Sequence, residues 1–307
     1  IPAKKEWIQT SVEALKGAKN VIFHIYNPTN EFQRRVVFQK SDEEIINLAV
    51  EGMKYLKELT KDFDANVIYE YSAESFSQTN LDFAVKICNA VIDVVKPTIN
   101  KKMIINLPNT LEACSANIYA DRIEWMCKHL INKESVIVSV HPHNDRGTAV
   151  ASAELAVLAG ATRIEGTLFG NGERAGNLDL VNFAFNLYSQ GINPKLDLKY
   201  IDKIKEMYEK LTNLKVHPRH PFVGDMIFTA FSGGHQDAIK KGNISIDSVQ
   251  REFDKIKAKA QQNEEIKKAI DSVASVAEAN PENTKVKNLL ESANKILNKV
   301  KENPQPS

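Results

Sequence analysis

The chain has 307 residues, with 40 Lys and Arg against 39 Asp and Glu and a formal net charge of +1. This balance gives no field that would draw the chain to nucleic acid or to an anionic membrane, and no apolar stretch approaches the roughly 18 residues of a membrane span. Only three cysteines occur, too few for a disulfide framework, so we expect a reducing, cytoplasmic setting.

Residues 1–242 alternate short β-type runs with helix-type stretches. The β-type runs are residues 21–26, 66–71, 103–107, 136–140 and 163–168, and helical spacing follows in stretches such as 42–61, 81–96 and 149–159. Five strand–helix units indicate parallel strands with right-handed crossovers, and near-continuous apolar strands indicate a sheet covered on both faces. A (β/α)₈ barrel and a doubly wound sheet both fit this pattern.

The composition changes after Gly242. Residues 243–307 contain no glycine and a single aromatic residue, Phe253, and their apolar residues recur at helical spacing with a break at Asn280-Pro281. This pattern predicts three short amphipathic helices. We therefore expect a barrel part over 1–200, a linker over 201–242 and a helical tail over 243–307, which is either a solvated appendage or a partner-binding module.

Each predicted strand ends in polar residues. They are His24 after the first strand, Ser72 and Glu74 after the second, Asn106 and Thr110 after the third, His141 and His143 after the fourth, and the segment 170–177 after the fifth. In a barrel, all strand C-termini open on one face, where the loops build the active site. In a doubly wound sheet fewer of these ends would converge, so the pattern favours the barrel.

His141-Pro142-His143 is the sharpest motif. Side chains two residues apart on a strand point to the same face, so the two imidazoles can converge on one metal ion. Asp145 lies close by in the sequence. We expect a metal site completed by a carboxylate from another strand end.

Two glycine-containing segments carry further candidates. Gly170 to Ala175 matches G-x-G-x-x-A, a dinucleotide-binding pattern. Glu173 and Arg174 crowd the turn, and no strand ending in an acidic residue follows about 20 residues later, which disfavours nicotinamide binding. Gly233-Gly234 predicts a flexible turn that presents His235, a candidate general base, and 217–221 predicts an extended connector.

These residues together resemble the 2-isopropylmalate synthase family, of the longer type found in fungi and some bacteria. The matching stretches, in family order, are residues 24–27, 70–76, 106–110, 141–147, 165–177, 217–225 and 231–242. The resemblance implies a (β/α)₈ barrel that condenses acetyl-CoA with 2-oxoisovalerate in leucine biosynthesis. It also implies a divalent metal ion (Zn, Mg or Mn) and a homodimer in the full-length enzyme.

The resemblance assigns roles position by position. It implies that His141 and His143 bind the metal with Asn177 in or beside the metal shell, and that Glu74 and His235 are the acid/base residues, with His235 reaching over the neighbouring subunit's barrel. The 2-oxo acid pocket implied is His24, Ser72, Asn106 and Thr110.

Two departures from the family shape the expectation. The five strands correspond to the fourth to eighth of the barrel, and no Arg-Asp dipeptide, which carries the family's third metal ligand, occurs in the chain. We therefore expect a partial barrel, an incomplete form of the enzyme, followed by a linker and the helical tail. The alternatives are an inert fragment or assembly module of that enzyme, or a related homocitrate or citramalate synthase.

Overall fold

The computed structural model describes residues 1–227, 229–238 and 240–241. Packing divides the chain into two units, residues 1–227 and 228–307, which we describe separately. The predicted tail helices over 243–307 lie outside the described residues, and the domain limits predicted at 200 and 242 stay predictions. In the described part, no helix combines the length and the apolar content needed to cross a membrane.

The first unit is a parallel α/β structure. Its elements are α1 Lys5–Ala14, β1 Asn20–Pro28, α2 Asp42–Leu59, β2 Asn66–Glu74, α3 Leu81–Val95, β3 Met103–Asn109, α4 Ala116–His129, β4 Val136–Pro142, α5 Ala149–Leu158, β5 Arg163–Ile164, α6 Leu180–Ser189 and α7 Ile201–Thr212. All neighbouring strands pair in parallel, in the order β1-β2-β3-β4-β5. Sequential order without a reversal is the winding of a barrel and excludes the doubly wound alternative for these strands.

Two of the helices, α2 and α3, begin at side-chain caps that the sequence supplies. Ser41 Oγ accepts the Glu44 N–H at 3.3 Å while the Glu44 carboxylate accepts the Ser41 N–H at 2.8 Å, a capping box that starts α2. Asn80 Oδ1 accepts the Phe83 N–H at 3.1 Å and starts α3. These caps fix the point at which the chain turns back from the carboxyl end of one strand to begin its crossover.

One face of the sheet packs against the helices and forms the core. Its strand residues are Val21, Phe23 and Ile25 of β1, Val67, Tyr71 and Ala73 of β2, Met103, Ile105 and Leu107 of β3, and Val136, Val138 and Val140 of β4. The alternate residues point to the other face, where polar and charged side chains dominate from the middle of each strand onward. The apolar runs therefore extend onto the inner face only through the first half of each strand.

The fifth strand is shorter than the β-type run over residues 163–168 predicts. Glu165 N still donates to Val140 O at 2.9 Å, but Thr167 N then donates to Leu178 O at 2.9 Å and Leu180 N donates to Thr167 O at 3.0 Å. The chain separates from β4 after Glu165 because residues 178–180 fold back and pair with Thr167. The segment 170–177 is thereby folded back toward the end of β4.

The segment 217–221 forms a turn, not the extended connector that its prolines predict. His220 N donates to His217 O at 2.8 Å, and the His220 Nε2 atom is hydrogen-bonded to the Asp179 carboxylate. Asp179 also caps α6 by accepting the Val181 N–H at 2.9 Å. The turn is thus anchored to the start of α6.

Candidate active site

Neighbouring strands place a hydrogen-bonded chain of side chains on the inner face of the sheet. His24 Nε2 lies 2.6 Å from Ser72 Oγ, and Asn106 Nδ2 donates to Ser72 Oγ at 2.9 Å. Burial lowers the pKa of His24 to about 4, so its imidazole is neutral near pH 7. Because the Asn106 amide occupies the Ser72 oxygen as a donor, the Ser72 hydroxyl is free to donate to His24. Three of the four predicted pocket residues therefore belong to one hydrogen-bonded chain.

At the end of β4, the His141 side chain contacts two other side chains, those of Glu165 and Asn177. His141 Nδ1 lies 2.9 Å from Glu165 Oε2, and His141 Nε2 lies 2.9 Å from Asn177 Nδ2. Asn177 is held there by an antiparallel bridge to His143 and by Leu178 N, which donates to Pro142 O at 2.9 Å. The structure thus brings together His141, His143 and Asn177, which the resemblance assigns to the metal shell.

The two imidazoles of this cluster lie side by side, with ring centroids 5.3 Å apart. His143 Nδ1 is buried and has no hydrogen-bond partner among the described residues. Burial and the neighbouring His141 lower the pKa of His143, which keeps its ring neutral and able to act as a ligand. A buried lone nitrogen beside a second imidazole and an amide is a donor set suited to a divalent ion.

Acidic ligands do not complete this set in the described part of the chain. No group of three or more His, Cys, Asp or Glu side chains there is arranged to hold a metal ion. The Asp145 carboxylate is paired with the Arg174 guanidinium, with Arg174 Nε donating to Asp145 Oδ1 at 2.7 Å. The carboxylate expected from another strand end is not found among these residues.

The sequence analysis did not identify Glu70 and Arg163, which lie next to Glu165 on the inner face of the sheet. Glu70 is 2% exposed, and the guanidinium of Arg163 lies against both Glu70 and Glu165. Burial, followed by the hydrogen bond with Glu165, raises the pKa of Glu70 to about 8. Burial alone would also raise the pKa of Glu165. The hydrogen bonds with His141 and Glu70 and the charge of Arg163 outweigh burial and hold that pKa below its usual range.

The other two predicted residues of this unit flank the cluster. Glu74 ends β2 on the same face as Ser72, and burial raises the pKa of its carboxyl. Thr110 follows β3, and its Oγ1 accepts the Ser75 N–H at 2.9 Å, which leaves the hydroxyl proton free for another acceptor. Both residues therefore lie at the same strand ends as Ser72 and Asn106.

Arg174 links the loops that follow three strands. Besides its contacts with Asp145, Arg174 donates to Thr110 O at 2.6 Å, and Asp145 Oδ2 accepts the Glu112 N–H at 3.3 Å. A planar guanidinium suits a bidentate carboxylate and an additional carbonyl at once. The segment 170–177 therefore serves as a brace across the strand ends, and its glycines do not lead directly into a helix N-terminus as a dinucleotide loop would.

Gly176 allows the segment 170–177 to fold back so that its two ends lie close together. Its φ is +98°, and a Cβ atom there would lie 2.1 Å from Gly170 O. We expect Gly176→Ala to lower the free energy of unfolding by about 2 kcal/mol or more, because both the backbone conformation and the close approach are lost. Urea unfolding measures the change. The matched control is Gly147→Ala, where φ is +76° but the Cβ would meet nothing within 4 Å, and equal losses in the two variants would contradict this reading.

His235 belongs to the second unit. Residues 233–238 are helical, and His235 N donates to Ser232 Oγ at 3.2 Å, so the glycine pair forms a capped first helical turn where a flexible loop was predicted. The His235 side chain is exposed. Its predicted role as an acid/base residue stays a prediction.

The chain is similar to known proteins over most of its first unit. The family model described as HMGL-like matches residues 2–208. The 2-isopropylmalate synthase of Acetoanaerobium sticklandii is 58% identical over 236 residues, which are 76% of this chain and 42% of that protein. The 2-isopropylmalate synthase of Clostridium acetobutylicum is 54% identical over 247 residues, 80% of this chain and 44% of that protein. The chain thus spans less than half the length of these curated relatives.

Solved structures confirm the barrel fold. The HMG-CoA lyase of Bacillus subtilis superposes with a TM-score of 0.54 at 17% identity, covering 69% of this chain and 70% of that one. The HMG-CoA lyase of Brucella melitensis gives a TM-score of 0.51 at 12% identity, covering 67% and 71%. With the family model matching two thirds of its residues and the barrel winding of its strands, the chain belongs to the HMGL-like family.

Proposed function

We propose that this chain carries the condensation site of a 2-isopropylmalate synthase. The enzyme would join the acetyl group of acetyl-CoA to 2-oxoisovalerate and release 2-isopropylmalate and CoA in leucine biosynthesis. The observation that carries the proposal is the convergence of His141, His143 and Asn177 at the strand ends, beside the chain formed by His24, Ser72 and Asn106. The names and identities of the relatives support it.

In this proposal, His141, His143 and Asn177 hold a divalent metal ion. The fit rests on the buried, unpartnered Nδ1 of His143 in the described structure and on two imidazoles beside an amide. A bound Zn²⁺, Mg²⁺ or Mn²⁺ would act as a Lewis acid toward the keto and carboxylate oxygens of the 2-oxo acid.

The remaining residues bind the 2-oxo acid and move protons. The Ser72 and Thr110 hydroxyls and the Asn106 amide are polar groups held by the strands, so they can orient the acid without reorganising. Glu74, whose pKa is raised by burial, and His235 are the acid/base pair. A base takes a proton from the acetyl methyl group, the resulting carbanion adds to the keto carbon, and water then cleaves the thioester to release CoA.

The proposal extends to the setting of the enzyme. Cys88, Cys114 and Cys127 are free thiols, which suits the reducing cytoplasm. We further propose a homodimer in which His235 of one protomer serves the site of the other.

The assay measures free CoA with a thiol reagent, using the protein as its native host produces it. We expect CoA release with 2-oxoisovalerate, and at least about tenfold lower kcat/KM with pyruvate or 2-oxoglutarate, because a pocket shaped for a branched side chain discriminates by about 1–3 kcal/mol. A preference for pyruvate or 2-oxoglutarate would contradict the assigned substrate and favour a citramalate or homocitrate synthase.

The metal site is tested by replacing both His141 and His143 with alanine. We expect the double variant to lose stoichiometric divalent metal, because two of the three donors disappear. Metal content by mass spectrometry and Mn²⁺ titration measure this. His129→Ala is the control, since His129 lies on the outer helix α4 with its ring stacked on Trp125. Unchanged metal content in the double variant would refute the ligand assignment.

A further inference from the structure

Glu165 is surrounded by hydrogen-bond donors at the base of the candidate site. Its Oε1 accepts from Ser139 Oγ at 3.1 Å and from the Arg163 guanidinium. Its Oε2 accepts from Asn106 Nδ2 at 3.4 Å and lies 2.9 Å from His141 Nδ1. Both oxygens are thus used as acceptors, which is the pattern of an ionised carboxylate.

The two nitrogens of His141 face opposite kinds of partner. A neutral imidazole carries one N–H and one lone pair. The Glu165 carboxylate can only accept, so the proton of the ring must be on Nδ1. Asn177 Nδ2 is an N–H donor 2.9 Å from His141 Nε2, so the lone pair must be on Nε2.

We infer that Glu165 is a positioning residue that locks His141 in the Nδ1-protonated tautomer and so presents its Nε2 lone pair toward Asn177 as a metal ligand. The metal part of this inference rests on the proposed function, whereas the tautomer does not. A carboxylate on the far nitrogen of a ligating histidine fixes the orientation of the ring and increases the basicity of the ligand atom.

Arg163 keeps Glu165 in this role. Arg163 Nη1 contacts Oε1 of Glu165, so that oxygen must remain an acceptor. Glu70 is the matched contrast: it is also a buried glutamate in contact with Arg163, at 3.4 Å, but it does not contact His141. The two glutamates therefore separate the effect on the tautomer from the general effect of altering a buried carboxyl.

The decisive variant is Glu165→Gln. Arg163 and Ser139 both donate to the Oε1 position, so the amide oxygen must occupy it, and the amide nitrogen then faces His141 Nδ1 as a donor. The proton of the ring must move to Nε2, which removes the lone pair from the metal side. We expect ¹⁵N NMR of the metal-free protein to report this exchange of tautomer, and Mn²⁺ affinity to fall by about 10- to 100-fold.

The control is Glu70→Gln, in which an amide replaces the carboxyl that donates to Glu165. We expect His141 to keep its Nδ1 proton and Mn²⁺ affinity to change by less than about threefold. The unmodified protein provides a direct measurement that needs no variant: a proton on Nε2 of His141 in its ¹⁵N spectrum would overturn the inference. An equal loss of Mn²⁺ affinity in both glutamate variants would also overturn it.

The design separates this inference from the proposed function. If His141 is protonated on Nδ1 and the proton moves to Nε2 in Glu165→Gln, the positioning role is supported, whether or not the unmodified protein binds Mn²⁺. If the unmodified protein binds no Mn²⁺, the proposed metal site is refuted. A variant that changes Mn²⁺ affinity without changing the tautomer would overturn the mechanism given for Glu165.

Discussion

Replacing His235 with alanine is expected to lower turnover by about 10²-fold or more, the range for a positioned acid/base group. His235 is exposed on the helical segment 233–238 of the second unit, and none of the metal-shell residues belongs to that unit. Metal content should therefore remain at its normal value in His235→Ala, in contrast to the variant lacking His141 and His143. Steady-state CoA release and metal analysis of the same preparation measure both quantities.

Mixing two inactive variants tests which protomer His235 serves. If His235 acts on its partner, a dimer of one His235→Ala and one Glu74→Ala protomer contains one intact site, and random pairing should restore about a quarter of the normal activity. If His235 acts within its own protomer, every site in the mixed dimer carries one defect and mixing restores nothing. Normal turnover in His235→Ala alone would show that His235 is an ordinary surface histidine without a catalytic role.

The strands could be predicted because their signal is local. Runs such as Val136 to Val140 are rich in β-branched residues, and each of the five predicted runs contains a parallel strand, although the fifth strand is limited to Arg163–Ile164. The polar residues at the strand ends also indicated the correct edge of the sheet. His24 with Ser72, and His141 with Asn177, are in contact across 48 and 36 residues, as the barrel winding requires.

The contacts that Arg163 makes beneath the site could not be predicted because they join residues far apart in the sequence. Arg163 contacts Glu70 across 93 residues, and each of these residues alone looks like a charged residue within a strand run. Only the register of the sheet places them together on the inner face and makes them partners. The same is true of Arg174 and Thr110, whose contact spans 64 residues and braces two loops.

The shortening of β5 shows the same limit. The run Arg163 to Leu168 has strand-like composition, and its own residues give no reason to stop at Ile164. Competition from residues 178–180 ends the pairing with β4, because a backbone N–H that donates to one carbonyl is no longer available to another. Because β5 ends early, the segment 170–177 folds back over the strand ends. The position of Asn177 therefore depends on the pairing of residues 178–180, a non-local contact that secondary-structure propensity does not predict.

Glu70→Gln is expected to change how the stability of the fold depends on pH. The pKa of Glu70 is about 8 in the folded chain, against 4.5 for the free group. Between these values the folded chain keeps a proton that the unfolded chain has released, so the stability contributed by the protonated carboxyl is complete below pH 4.5 and is lost as the pH rises toward 8. Glutamine has no proton to lose and escapes this decline.

The measured quantity is the difference in the free energy of unfolding between the natural chain and Glu70→Gln, by urea unfolding at several pH values. We expect the natural chain to lose about 3 kcal/mol relative to the variant from pH 5 to pH 8, at up to about 1.4 kcal/mol per unit. His24, with its lowered pKa, titrates in the opposite sense, but it is present in both proteins and largely cancels in the difference. A difference that stays constant from pH 5 to 8 would mean that Glu70 is ionised in the fold, and Arg163 would then have to balance two buried carboxylates.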